Sequence, residues 1–418
     1  MTSREKVKNA VNHVEGKVPL DFGSTCVTGI HVSVIEQLRQ YYGLEKKPPK
    51  VIEVIQMIGY IEDDLKDALG VDTVDFWAPF AAYGYTNENW KEWVTPWGQT
   101  VLVGEGFTVT EDENNIYIYA CGDTNYPPAG VMPRGGFFFD HTTRQEEIDD
   151  DNMNFMDNTE EFGQVDDGLL DFFRKKAKEL ENSTRYVGGM IGGTPLGDAA
   201  LVPGPMLRRP KGIRDLEEWY ISMLTRPDYI HKVFEYQTNI AISNHEKIHE
   251  IIGDAFDMLF VCGADYGTQS SLLYSPQTYR DLYLPYHKKI NDWIHKNTGW
   301  KTFKHCCGSI RPLLPMFIEA GFDIINPVQW SADNMDRKTL KEEFGKDLVF
   351  WGGGVNTQTT LPFKTPEDVR IEVLETCEIF SRGGGYVFNP IHNIVAKTPV
   401  GNVIAMINAL HEFNGDKR

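Results

Sequence analysis

The chain has 418 residues, is 41% hydrophobic and 12% aromatic, and carries a formal charge of −19 from 41 basic and 60 acidic residues. That length suits one large α/β domain or two ordinary ones, and the apolar content makes a sizeable core rather than disorder the expected state. The acid excess argues against nucleic acid or an anionic membrane as the main partner, because both reward clustered Lys and Arg.

The opening "MTSREKVKNAVNHVEGK" is charged and helical in pattern, unlike a signal peptide. Strand candidates follow at "VPLDFG" (18–23) and "VDTVDFW" (71–77). Residues 78–144 then leave this rhythm. "TVLVGEGFTVT" and "NIYIYAC" alternate with period two about the polar turn "EDENN" and read as a hairpin. "YPPAGVMPRGGFFFD" (126–140) reads as a loop, either a flap or a packing excursion. This stretch is expected to be an antiparallel, β-rich insertion after the second strand.

Strands resume at "RYVGGMIGG" (185–193), "DMLFVCGADYG" (257–267), "KTFKHCCG" (301–308), "FDIINPVQ" (322–329), "DLVFWGGGVN" (347–356) and "GYVFNPIHN" (385–393). Helices lie between most of them. Ser275-Pro276, Thr365-Pro366 and Thr398-Pro399 each offer a capping hydroxyl followed by Pro at the first helical position. Eight strand candidates with crossover helices predict an α/β fold, a (β/α)8 TIM barrel built from residues 1–418 with 78–144 inserted in it. Neither "WGGGV" nor "GGMIGGTP" is a nucleotide-binding fingerprint.

No run approaches the ~18 consecutive apolar residues of a membrane span. Six cysteines without regular spacing form no disulfide framework, so a reducing cytoplasm is the expected location.

Chemistry concentrates in "FKHCCGSIRPL" (303–313). On a strand, alternate side chains share a face, so Phe303, His305 and Cys307 point one way and Lys304 and Cys306 the other. If the odd set faces the lumen, an imidazole and a thiolate meet at the strand's C-terminal end, where barrel enzymes carry their sites. Nitrogen and sulfur suit Zn²⁺, which needs at least a third ligand. His392 in "FNPIHN" is the best-placed candidate, and Cys26 and Cys262 also fall near strand ends. "HEKIH" (245–249) matches a zinc-protease pattern but lies on a crossover helix, and a solvated helix face is the expected reading.

"HCCGSIRPLLPMFIEAGFDIINPVQ", with "GADYGTQSSLLYSPQTYRDLYLPYHKKI" before it and "VFNPIHNIVAKTPVGNVIAM" after it, resembles the uroporphyrinogen decarboxylase superfamily. It is most similar to the branch of cobalamin-dependent methyltransferases. The resemblance runs from about Gly188 to the C-terminus, and it implies a TIM barrel and a zinc ion held by His305 and Cys307. The third ligand position, a cysteine in that branch, falls on His392. A neutral imidazole there and the neutral Gln329 favour an oxygen substrate, a methyl ether such as a methoxylated aromatic, over a thiol.

The arginine-rich segment with which true decarboxylases grip porphyrinogen carboxylates is replaced here by "LDFGSTCVTGIHVS", so decarboxylation of that substrate is not expected. The alternative is a corrinoid-independent lyase or decarboxylase of the same superfamily. Asp265 is the candidate acid/base or orienting carboxylate. Tyr266, Gln269, Asn326, Gln329, Trp77 and Arg134 are candidate substrate contacts. The resemblance also implies a corrinoid, and because no D-x-H-x-x-G cobalamin motif occurs, a partner carrier protein is expected to supply it.

Overall fold

The computed structural model describes residues 1–416 apart from Gly193 and Pro195. The strand candidate 185–193 therefore ends on a residue outside the described set. Seven parallel strands form one curled sheet, in the order Thr73–Trp77, Tyr186–Met190, Met258–Cys262, Lys301–His305, Ile324–Asn326, Val349–Trp351 and Tyr386–Val387. Sequence neighbours pair throughout, as βα units dictate.

The first strand candidate contributes only a bridge, Leu20 parallel to Phe388. Pro19 has no N–H to give to a ladder, which keeps the segment from being a regular strand. Its backbone nevertheless links the two ends of the sheet. Asp21 N donates to Phe388 O (2.9 Å), Phe388 N to Pro19 O (2.8 Å), and Asp72 N to Leu20 O (2.8 Å). The fold is thus a TIM barrel whose first strand is reduced to residues 19–21.

Inward side chains fill the lower lumen, where Tyr186, Met258, Phe303, Ile324, Val349, Trp351 and Val387 form one cluster with Val7, Ala10 and Val11 of the helix Ser3–Val11. That helix is pinned across the strands' N-terminal end by Arg4 to Asp257 (2.9 Å) and Lys6 to Asp72 (2.5 Å). With that end closed, a ligand's access is at the opposite, C-terminal end of the strands.

Crossover helices pack outside the sheet. Ser275 and Thr365 cap as expected, their hydroxyls accepting from Thr278 N (3.0 Å) and Asp368 N (3.2 Å). Thr398 does not. The last helix begins at Val400, and the Thr398 hydroxyl donates to Val395 O (2.8 Å) instead.

The antiparallel strands sit in separate sheets, consistent with an insertion. Val109–Glu111 pairs with Asn115–Ile118 about the expected turn, but Thr100–Val103 pairs with Lys91–Val94. The apolar run is broken at Gly104, where a Cβ would lie 2.2 Å from Thr86 O, so only glycine allows the chain to pass. Part of the predicted loop is ordered as strand, Gly130–Pro133 joining the ladder beside Asn115–Ile118. An unpredicted sheet of Ile30–His31, Ile58–Gly59 and Val51–Glu53 brings Glu53 toward the barrel mouth.

Candidate active site

Strand alternation sorts the residues of the fifth strand as expected. Lys304 turns outward, fully buried, with Nζ donating to Ala264 O and His305 O (2.6 Å each) and lying 4.4 Å over the Tyr266 ring. Cys306 also faces away from the lumen, its sulfur accepting from Tyr266 N (3.2 Å). His305 and Cys307 face inward, with Sγ 3.3 Å from Nε2. His392 arrives from beyond the eighth strand, its ring 5.4 Å from that of His305. One donor atom from each of these three residues lies within 4.8 Å of the others.

The tautomer of His305 follows from its neighbours. Asn326 Nδ2 donates to the carbonyl of Trp351 (2.8 Å), which aims its Oδ1 at His305 Nδ1 (2.6 Å). An amide oxygen only accepts, so Nδ1 carries the proton and Nε2 presents its lone pair to the cluster. Burial lowers His305 below the ordinary histidine range, against the opposing pull of Asp265. Burial, and then His305 beside it, lowers His392 to about 4. Both rings are therefore neutral at physiological pH. Burial raises the Cys307 thiol, with Asp265 adding to the effect. A two-nitrogen, one-sulfur set with its first imidazole oriented from behind fits a zinc ion.

Asp265, on the loop after the fourth strand, accepts from Cys307 N (2.6 Å) and lies 3.6 Å from His305 Nε2. Gly308 N donates to Gln329 Oε1 (2.8 Å), and Gln329 Nε2 donates to Gln269 Oε1 (3.0 Å). Loops four and six thus clamp the two amides on either side of Cys307, the second belonging to the Cys307–Gly308 peptide. Gly308 has φ +92°, and a Cβ there would meet the Gly267 carbonyl carbon at 2.5 Å.

Above the cluster opens a cavity of about 550 Å³, within the range for a small-molecule site. His305, His392 and Asp265 line it, together with Trp77, Phe80, Phe260 and Met190. Trp77 is anchored by Nε1 donating to Ser24 O (2.9 Å). Of the other predicted contacts, Asn326 and Gln329 are buried and support His305 and Gly308, and the exposed Gln269 accepts from Gln329. Tyr266 is 1% exposed in an aromatic cluster with Tyr274, Tyr279 and Tyr283, away from the cavity. Arg134 stays on the insertion, donating to Glu111 (2.9 Å) and Asp112 O (2.9 Å). The HEKIH segment is not wholly the solvated face expected, because His245 turns inward and is buried against Trp293, while His249 lies 3.5 Å from Asp254.

Two cavity residues carried no signal in the sequence. Glu53 accepts from Ile55 N (2.7 Å) and Gln56 N (2.8 Å), and burial raises it to about 7. Asp198 accepts from Ala200 N (2.9 Å), and burial, with Asp265 adding, raises it to about 6. Each is a lone acid in an apolar or glycine-rich segment, and only long-range folding brings it to the mouth.

Comparison with known proteins agrees with the barrel fold. The family described as "Uroporphyrinogen decarboxylase (URO-D)" matches residues 205–413, half of the chain. A uroporphyrinogen decarboxylase of Pseudoalteromonas translucida is 26% identical over 202 residues, covering 44% of this chain and 53% of the relative. A methylated-thiol–coenzyme M methyltransferase of Methanosarcina mazei is 25% identical over 205 residues, 48% of each chain. The matches to these curated relatives span about half of their lengths. Among solved structures, a methyltransferase from Methanosarcina mazei superposes with TM-score 0.55 over 99% of both chains at 16% identity, a likeness of fold. With a barrel closed as described and a family match over its C-terminal half, the chain belongs to the uroporphyrinogen decarboxylase (URO-D) family.

Proposed function

We propose that the protein moves a methyl group between a small methylated substrate and a corrinoid held on a separate carrier protein. A methyl ether such as a methoxylated aromatic is the favoured substrate. The observation that carries this reading is the convergence of His305, Cys307 and His392 on one point of the cavity floor. The relative named as a methylated-thiol–coenzyme M methyltransferase supports it. Zinc held by these three residues would supply Lewis acidity to the heteroatom that loses or gains the methyl group. A corrinoid would supply the nucleophilic or methyl-bearing cobalt.

The chain's own residues do the rest. Asn326 fixes the His305 ring, so its lone pair stays directed at the cluster. Asp265 holds the Cys307 amide and is the candidate proton-handling group beside the reacting atoms. Trp77, Phe80 and Phe260 offer flat apolar faces to an aromatic ring. A cytoplasmic location goes with this reading, and no described helix is long and apolar enough to cross a membrane.

Zinc-loaded protein, incubated anaerobically with cob(I)alamin and a series of methoxylated aromatics, tests the proposal. Loss of cob(I)alamin absorbance with matching release of the phenol is expected. Turnover without any corrinoid would favour the second reading, a lyase or decarboxylase, which the relatives named uroporphyrinogen decarboxylases support. Against that reading, no Lys or Arg is among the described residues lining the cavity to hold a carboxylate-rich substrate.

A further inference from the structure

Several acids of low exposure among the described residues are paired with bases. Asp257 has Arg4 (2.9 Å), Asp72 has Lys6 (2.5 Å), Asp75 has Lys66 (3.3 Å) and Glu161 has Arg214 (2.8 Å). Asp21, buried without a base, is saturated by Thr73, Ser24 and Trp351. Glu53 and Asp198 differ. Each faces the cavity, each is fixed by backbone N–H groups, and neither has an ion-pair partner among the described residues. A carboxylate partly withdrawn from water without a counter-charge either holds a proton or gains from a cation brought in from outside the chain, and both of these groups face the space a ligand would enter.

A divalent cation held by His305, Cys307 and His392 would be met first by Cys307 and Asp265, whereas Glu53 and Asp198 face a space walled by Trp77, Phe80 and Phe260. Carboxylates beside aromatic faces favour an organic cation through both charge pairing and cation–π attraction.

We propose that this cavity takes methylated substrates bearing a cationic end, such as a protonated amine on a methoxylated aromatic, and rejects carboxylate-bearing ones. Glu53 and Asp198 set that choice. The inference rests on the reading of the cavity as the methyl-substrate site, and its test is separable because it measures binding without a corrinoid.

The probes are 4-methoxybenzylamine, 4-methoxybenzyl alcohol and 4-methoxybenzoate, three compounds of one shape and three charges. They are titrated calorimetrically into zinc-loaded protein at pH 7.5. The amine is expected to bind at least about tenfold more tightly than the alcohol, and the benzoate more weakly than both. In the Glu53→Gln/Asp198→Asn double variant the amine should fall to the alcohol's affinity while the alcohol's own affinity is kept. Benzoate binding as tightly as the amine, or no binding by any of the three, would overturn the proposal. So would an amine preference that survives in the folded double variant. If the double variant does not fold, the wild-type ranking alone decides. Methyl transfer observed with equal affinity for all three would sink this inference and leave the proposed activity standing.

Discussion

Replacing Glu53 with Gln should change how the stability of the protein depends on pH. Burial raises this carboxyl from an ordinary 4.5 to about 7, against two backbone N–H groups that favour its charged form. Between those values the native chain holds a proton that the unfolded chain has released. Stability contributed by the group is therefore full below pH 4.5 and is lost as pH rises through 7. At 1.36 kcal/mol per pH unit, the shift of two to three units amounts to roughly 2–3 kcal/mol between pH 5 and pH 8. Gln cannot titrate, so the variant should lack this part of the decline.

Gln also gives up one of the two backbone hydrogen bonds, at a cost of about 1 kcal/mol at every pH. Its absolute stability is for that reason less informative than the slope. Asp198, raised to about 6, lowers stability with rising pH in the same direction in both proteins and cancels in the comparison. The assay is urea denaturation of wild type and variant at pH 5 and pH 8. Parallel declines in the two proteins would refute the reasoning and mean that water or a mobile cation already solvates Glu53.

Asn326→Ala removes the acceptor that fixes the His305 tautomer, and zinc affinity by chelator competition should fall about 10–100-fold. Unchanged affinity would show that the ring is oriented by other contacts. Gly308→Ala forces a left-handed backbone on a residue with a Cβ and drives it into Gly267, at a cost of about 2 kcal/mol or more in unfolding free energy. It should also weaken zinc binding, because the clamped Cys307–Gly308 peptide must shift. A fully stable, fully zinc-competent variant would contradict the clamp.

The parts of the site visible in the sequence were those with local geometry. His305 and Cys307 share a face because strand side chains alternate, and the apolar rhythm of the chain placed that strand and the segment carrying His392 in the same barrel. Glu53 was illegible because its strand belongs to a three-stranded sheet of two- and three-residue strands, too short to show a period. Asp198 sits in a loop whose path is set by tertiary contacts. Tyr266 follows Asp265 directly, yet both lie on a loop, where no strand period fixes direction, and Tyr266 packs onto Lys304. Arg134 looked available in a glycine-rich loop, but the ladder beneath it ties it to Glu111. The first strand was foreseen in place but not in form, since Pro19 denies it a regular ladder.

Metal content tests the central claim most directly. Protein purified without a histidine tag should carry about one zinc per chain by mass spectrometry, with clearly less in both Cys307→Ser and His392→Ala. Full zinc in both variants, or none in the wild type after zinc is supplied, would contradict the account that His305, Cys307 and His392 hold one metal at the cavity floor.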